Sequence, residues 1–180
     1  MGYREYLFAA FALVAISTRV LAADVATEVT LGGNKLVLNG VGVEEIFWTD
    51  VYRAALYVPE HSSDYASLVG TPEPKLLLIE ILISDIPADM PADWRQVFQR
   101  HLGAADFDTL EATYRGLGAG DTLSFGYLPG TGSRITLNGN VLGIDRGYHL
   151  MRDLLDLWLG ENASASDELR AALLAPDFSV

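Results

Sequence analysis

From Val25 onward the chain alternates apolar and polar residues with the period of two that belongs to strands. VATEVTL and KLVLNG flank Gly32-Gly33-Asn34 and predict a first hairpin. Ile46–Val58, IFWTDVYRAALYV, reads as one long strand rich in aromatic and β-branched residues. Ile46, Trp48, Asp50, Tyr52, Ala54 and Leu56 would face one side of it, and Phe47, Thr49, Val51, Arg53, Ala55 and Tyr57 the other. Both sides are largely apolar, so the pattern predicts a central strand covered on both faces. KLLLIEILI, Lys75–Ile83, fits a second buried strand, although its length also suits a short helix.

The rhythm then changes. In ADWRQVFQRHLG the residues Trp94, Val97, Phe98 and Leu102 form one helical stripe, with Asp89 or Asp93 and Pro91 as its start signal. FDTLEATYRGLGAG predicts a second helix stopped by its glycines. Alternation returns in DTLSFGYL, and PGTG, SRITL, Asn138-Gly139 and VLGI continue it as a meander. GYHLMRDLLDLWLG stripes Met151, Leu154, Leu155 and Trp158 along a helix, and SASDELRAALL follows with Ser164 or Ser166 as its cap. An antiparallel sheet with helices in the middle and at the end defines an α+β domain.

Composition adjusts this picture at the N-terminus. Arg4, the apolar run Leu7–Ile16 and the small residues ending at Ala22 read as a secretory signal peptide over 1–22, leaving a domain over 23–180. The run stops at Ser17-Thr18-Arg19, short of the ~20 apolar residues that span a bilayer, so no integral membrane segment is expected after cleavage. The whole chain carries a net charge of −12; removing residues 1–22 takes away two arginines and a glutamate and leaves −13. Such a surface repels nucleic acid and anionic headgroups. With no cysteine, disulfides, thiol catalysis and cysteine metal sites are excluded.

Little else in the sequence carries chemistry. RGLGAGD runs helix–glycines–strand, the reverse of a pyrophosphate-binding turn, and the PGTG and Asn138-Gly139 glycines sit between strands. Asp85, Asp89 and Asp93 lack the alternation of a calcium loop, and His61, His101 and His149 have no partner at ligand spacing, so no metal or other cofactor is expected. Tyr52 and Arg53 stand out on an apolar strand. Their polar groups need partners, which acidic side chains or a ligand carboxylate could supply.

Three segments together, LNGVGVEEIFWTDVYRAALYVPE, GDTLSFGYLPGTGSRITLNGNVLG and DLWLGENASASDELRAALL, resemble the chalcone isomerase-like proteins, especially their exported bacterial branch, from about Val29 to Leu174. The resemblance implies an open-faced sandwich, a large antiparallel sheet carrying a layer of helices. It also implies a periplasmic location. Plant enzymes of this type cyclise a chalcone with an arginine, a threonine and a tyrosine. Here the arginine's place, in what the resemblance makes a glycine-rich turn, GVGVE, is taken by Glu44. The threonine aligns with Tyr52, and the tyrosine falls near Met90. Cyclisation needs a cation and hydroxyl donors around a developing anion, so no catalytic residue is assigned. Non-catalytic relatives hold fatty acids in the same cleft between strand and helices. The resemblance therefore implies a small hydrophobic or acidic ligand, with Glu44, Tyr52, Arg53, Leu56, Leu157 and Trp158 as candidate contacts. Two alternatives stand beside this one: an envelope module that binds a protein partner of unknown identity, and a residual isomerase using Tyr52.

Overall fold

A computed structural model describes residues 25–161 and 163–175. The expected signal peptide, residues 1–22, lies outside the described residues. Seven strands pair antiparallel in strict chain order. They are β1 (Glu28–Leu31), β2 (Asn34–Ile46), β3 (Thr49–Val58), β4 (Lys75–Ile81), β5 (Thr122–Leu128), β6 (Gly132–Leu137) and β7 (Asn140–Asp145). Five helices complete the domain: α1 (Tyr65–Gly70), α2 (Ala92–His101), α3 (Ala104–Tyr114), α4 (His149–Leu159) and α5 (Asp167–Leu173). This is the α+β, open-faced sandwich expected from the sequence.

One face of the sheet carries the helices. Ala54 and Leu56 from β3, Leu77 and Ile79 from β4, Phe125 from β5 and Ile135 from β6 are buried there against Phe98 of α2 and the Met151–Trp158 stripe of α4. Each leucine, isoleucine, methionine or phenylalanine among them contributes about 1.5–3 kcal/mol. Asp153, on the side of α4 toward α2, accepts from Arg100, His101 and Arg152 and ties the two helices together. The other face holds a smaller cluster, Leu36, Leu38, Ala55 and Tyr57, covered in part by Val25, Val29 and Leu31.

α5 lies across β2, and the glycines of GVGVE let it do so. That segment is strand, not the turn implied by the resemblance. A Cβ on Gly40 would stand 2.3 Å from the Ala172 carbonyl oxygen, and one on Gly42 would stand 2.8 Å from the Ala172 Cβ. Between them and the strand's start, Asn39 sits in a bulge, fully buried. Its Nδ2 donates to the Leu173 and Ser62 carbonyls at 2.9 and 3.0 Å, and its Oδ1 accepts from the Ser62 amide at 2.8 Å.

Ile46–Val58 is not one strand. The chain reverses at Phe47-Trp48, with Ile46 paired to Thr49, and only from Thr49 does the expected alternation hold. Both turn residues have positive φ, 49° and 64°, as a two-residue type I′ turn demands. Gly32-Gly33, with φ of 55° and 84°, and Asn138-Gly139, with φ of 48° and 83°, make the same kind of turn where the sequence predicts them. Aromatic residues in this region of backbone space cost roughly 1–2 kcal/mol each. The sequence gives no glycine or asparagine to mark this reversal, and α1 is likewise unannounced because six residues are too few for a stripe. Its cap is Asp64, which accepts from the Ser67 amide.

Two candidate sites on opposite faces of the sheet

The first candidate site lies under the helices. Tyr52 of β3 and Glu44 of β2 are cross-strand partners. The Trp158 Nε1 donates to the Tyr52 hydroxyl oxygen at 3.2 Å, and Trp94 packs against both rings, 4.8 Å from that of Trp158 and 6.2 Å from that of Tyr52. Burial, reinforced by the nearby Glu44 carboxylate, pushes the Tyr52 hydroxyl far above the usual phenol range, so it stays protonated at any physiological pH. Glu44 has a structural task. Its Oε2 accepts from the Ser166 amide and hydroxyl, both at 3.0 Å, while the Ser166 Oγ caps α5 by accepting from the Leu169 amide. Leu56 and Trp158 are packed in the core, and Leu157 is half-buried beside it. A cavity of about 10 Å³ lies on this face near Met90 and Trp94, room for one water.

The second site opens on the helix-free face, where a groove of about 350 Å³ lies over β3, β4 and the start of β5. That is within the range of small-molecule pockets. Val25, Val29, Ala55, Tyr57 and Leu78 give it apolar walls. One wall is held by Tyr57, whose hydroxyl donates to the Ala26 carbonyl at 2.9 Å. Arg53, Glu80 and Thr122 make its polar end.

Arg53 sets the electrostatics of that end. Its cross-strand partner in β4 is Glu80, and the Nε–Oε2 distance is 3.5 Å, an ion-pair separation. The geometry does not make a hydrogen bond, and the Arg53 Nε is buried without a hydrogen-bond partner. A buried guanidinium N–H left unmet costs stability in the free domain and is a ready donor to an anionic acceptor. Glu80 is substantially exposed and can move aside.

The six residues selected from the sequence thus divide between the faces. Glu44, Tyr52, Leu56, Leu157 and Trp158 belong to the helical side, whereas Arg53 alone lines the groove. Val25, Val29, Tyr57, Leu78, Glu80 and Thr122 were not selected. Glu80 carries the one signal that could have found them, because it is the single charge in the apolar run LLLIEILI. No helix among the described residues is long and apolar enough to cross a membrane. No group of three or more metal-ligating side chains gathers among them.

The chain folds as a one-sheet sandwich with a packed helical layer and an open groove behind it, and comparison with known proteins gives this frame a family. The chain belongs to the chalcone isomerase-like family, whose sequence profile matches residues 17–175. Among solved structures it is similar to a fatty-acid binding protein of Arabidopsis thaliana, with a TM-score of 0.50 and 19% identity over 82% of this chain and 93% of that one. No curated protein matches it in sequence.

Proposed function

We propose that this protein is a non-catalytic binding domain for a small amphipathic molecule, an apolar chain ending in a carboxylate, held in the groove on the helix-free face. The reading rests on the Arg53 Nε, buried at the polar end of an apolar groove with its hydrogen bond unmade. A carboxylate would satisfy that donor, and Ala55, Tyr57 and Leu78 would cover the chain. The shared fold of a fatty-acid binding protein supports the ligand class. On the helical side, a carboxylate engaged by a helix cap and a phenol engaged by an indole support the absence of cyclisation chemistry. The proposal includes export, with residues 1–22 removed and the domain delivered to the periplasm.

Calorimetric titration with dodecanoate and with dodecanol tests the site. Dodecanoate binding about tenfold tighter than the alcohol, lost in Arg53→Gln, is expected from a charge-assisted bond. Undiminished binding by Arg53→Gln would overturn the reading, as would ligand-induced hydrogen-exchange protection in α2 and α4 instead of β3 and β4. For export, the intact mass of the periplasmic protein should correspond to a chain starting at Ala23; retention of residues 1–22 would refute it.

A further inference from the structure

The β2–β3 hairpin runs on past its neighbours. β4 pairs with β3 as far as Tyr52, one further bond joins the Leu82 amide to the Val51 carbonyl, and beyond that the hairpin stands alone. Residues 45–50 are all exposed. At the tip Phe47 and Trp48 are 87% and 90% exposed, and Ile46 is about half exposed. The turn they form is strained, and Asn138-Gly139 shows that the same chain makes it elsewhere with residues that tolerate it. Just behind the tip Glu45 and Asp50 oppose each other across the hairpin, two like charges that repel. Each choice works against the stability of the free domain, and together they display a small aromatic peg with an acidic collar.

We infer that this tip is an anchor for a zwitterionic lipid surface. Two aromatic side chains of ~150–250 Å² each and part of an isoleucine fall well short of the ~800 Å² that one partner contributes to a standard protein interface. They suit shallow entry between acyl chains, where tryptophan and phenylalanine are at home and a peg needs no matching socket. The collar of Glu45 and Asp50 comes to rest among the headgroups, where cationic choline or ethanolamine groups meet it. Anionic lipids are disfavoured by that collar and by the net charge of −12. The inference stands apart from the groove and its ligand.

Trp48 is its own reporter, since Trp94 and Trp158 are only 7% and 1% exposed. The protein as isolated from its cell is mixed with phosphatidylcholine vesicles carrying brominated acyl chains, with Trp48→Phe as the baseline. Trp48 emission should shift to the blue and be quenched, and both effects should weaken when phosphatidylglycerol replaces much of the phosphatidylcholine. Phe47→Asn keeps the reporter and relieves strain. It should raise the thermal midpoint by roughly 2–4 °C while weakening vesicle binding about tenfold. Trp48 emission unmoved by phosphatidylcholine overturns the inference, even if the chain sediments with vesicles through residues 1–22. Equal quenching in Phe47→Asn overturns it too, and either result points to a protein socket instead.

Discussion

The indole of Trp158 donates its N–H to the hydroxyl of Tyr52 across 3.2 Å, from the last turn of α4 to the middle of β3. Both groups are carried by otherwise apolar surfaces, and the half-buried Tyr52 oxygen accepts the N–H of the fully buried Trp158. The pair sits between β3 and α4, where the resemblance puts a ligand cleft. Its loss should therefore be felt in stability and not in binding.

Tyr52→Phe leaves the Trp158 N–H buried without a partner. The variant should lose about 1–2 kcal/mol in denaturant unfolding. Its dodecanoate affinity should match that of the parent chain, because the groove lies on the other face of the sheet. A large drop in affinity would return the site to the helical side.

Gly40→Ala drives a methyl group into the backbone of α5, with three of its atoms at 2.3–2.5 Å. Backbone cannot yield as a side-chain tip can, so α5 must lift from β2 and take the Asn39 bonds with it. We expect destabilisation of about 2–3 kcal/mol and early proteolytic cleavage after α4. Denaturant titration and limited proteolysis check both.

Lys75 gives the fold an alkaline signature. The side chain is 2% exposed, its Nζ donates to the Thr71 carbonyl at 2.5 Å and lies 5.4 Å above the Tyr148 ring, and burial lowers its pKa to about 8. Between that value and the ordinary 10.5 the unfolded chain holds a proton that the folded one has released, so the Lys75 contribution rises with pH. From pH 8 to 9 the gain should be about 1 kcal/mol and should vanish in Lys75→Met. Towards pH 10 the trend reverses. Burial holds Tyr148 up to about 12 and raises Tyr52 further, and the unfolded chain ionises first.

Asp153 governs the acid side. Burial alone would raise its pKa, yet the bonds from His101, Arg152 and Arg100 outweigh it and hold the carboxyl below its ordinary range. Its contribution is present above the unfolded value near 3.8 and is lost as the pH falls through the folded one. Asp153→Asn should cost about 1–3 kcal/mol at pH 7 and flatten the stability profile below pH 4. Thermal melts across pH 3–7 measure both.

Where local chemistry decides the conformation, the sequence is readable. Gly32-Gly33 and Asn138-Gly139 turn as their residue types require, and the stripes of α2 and α4 bury the side chains that periodicity selects. The reversal at Phe47-Trp48 hides inside an unbroken run of strand-forming residues, because neither residue is the glycine or asparagine that such a turn favours. The groove is harder still to read. Alternation assigns Arg53, Ala55 and Tyr57 to one face, but it cannot say that this face lacks a helical cover. Nor can it say that Trp94 and Trp158 fill the opposite one.

The pairing of neighbours in chain order has a consequence for how the domain is made. Four hairpins, β1–β2, β2–β3, β5–β6 and β6–β7, build most of the sheet from contacts close in sequence, the kind that form quickly, while β3–β4 closes across α1 and β4–β5 across α2 and α3. A far longer closure sets α5 over β2, where Asn39 and Leu173 join residues 134 positions apart. A chain emerging from its N-terminus shows β2 almost first and its cover last. Until α5 has emerged that face of β2 stays uncovered, so the core of the domain cannot close before its C-terminal helix is available.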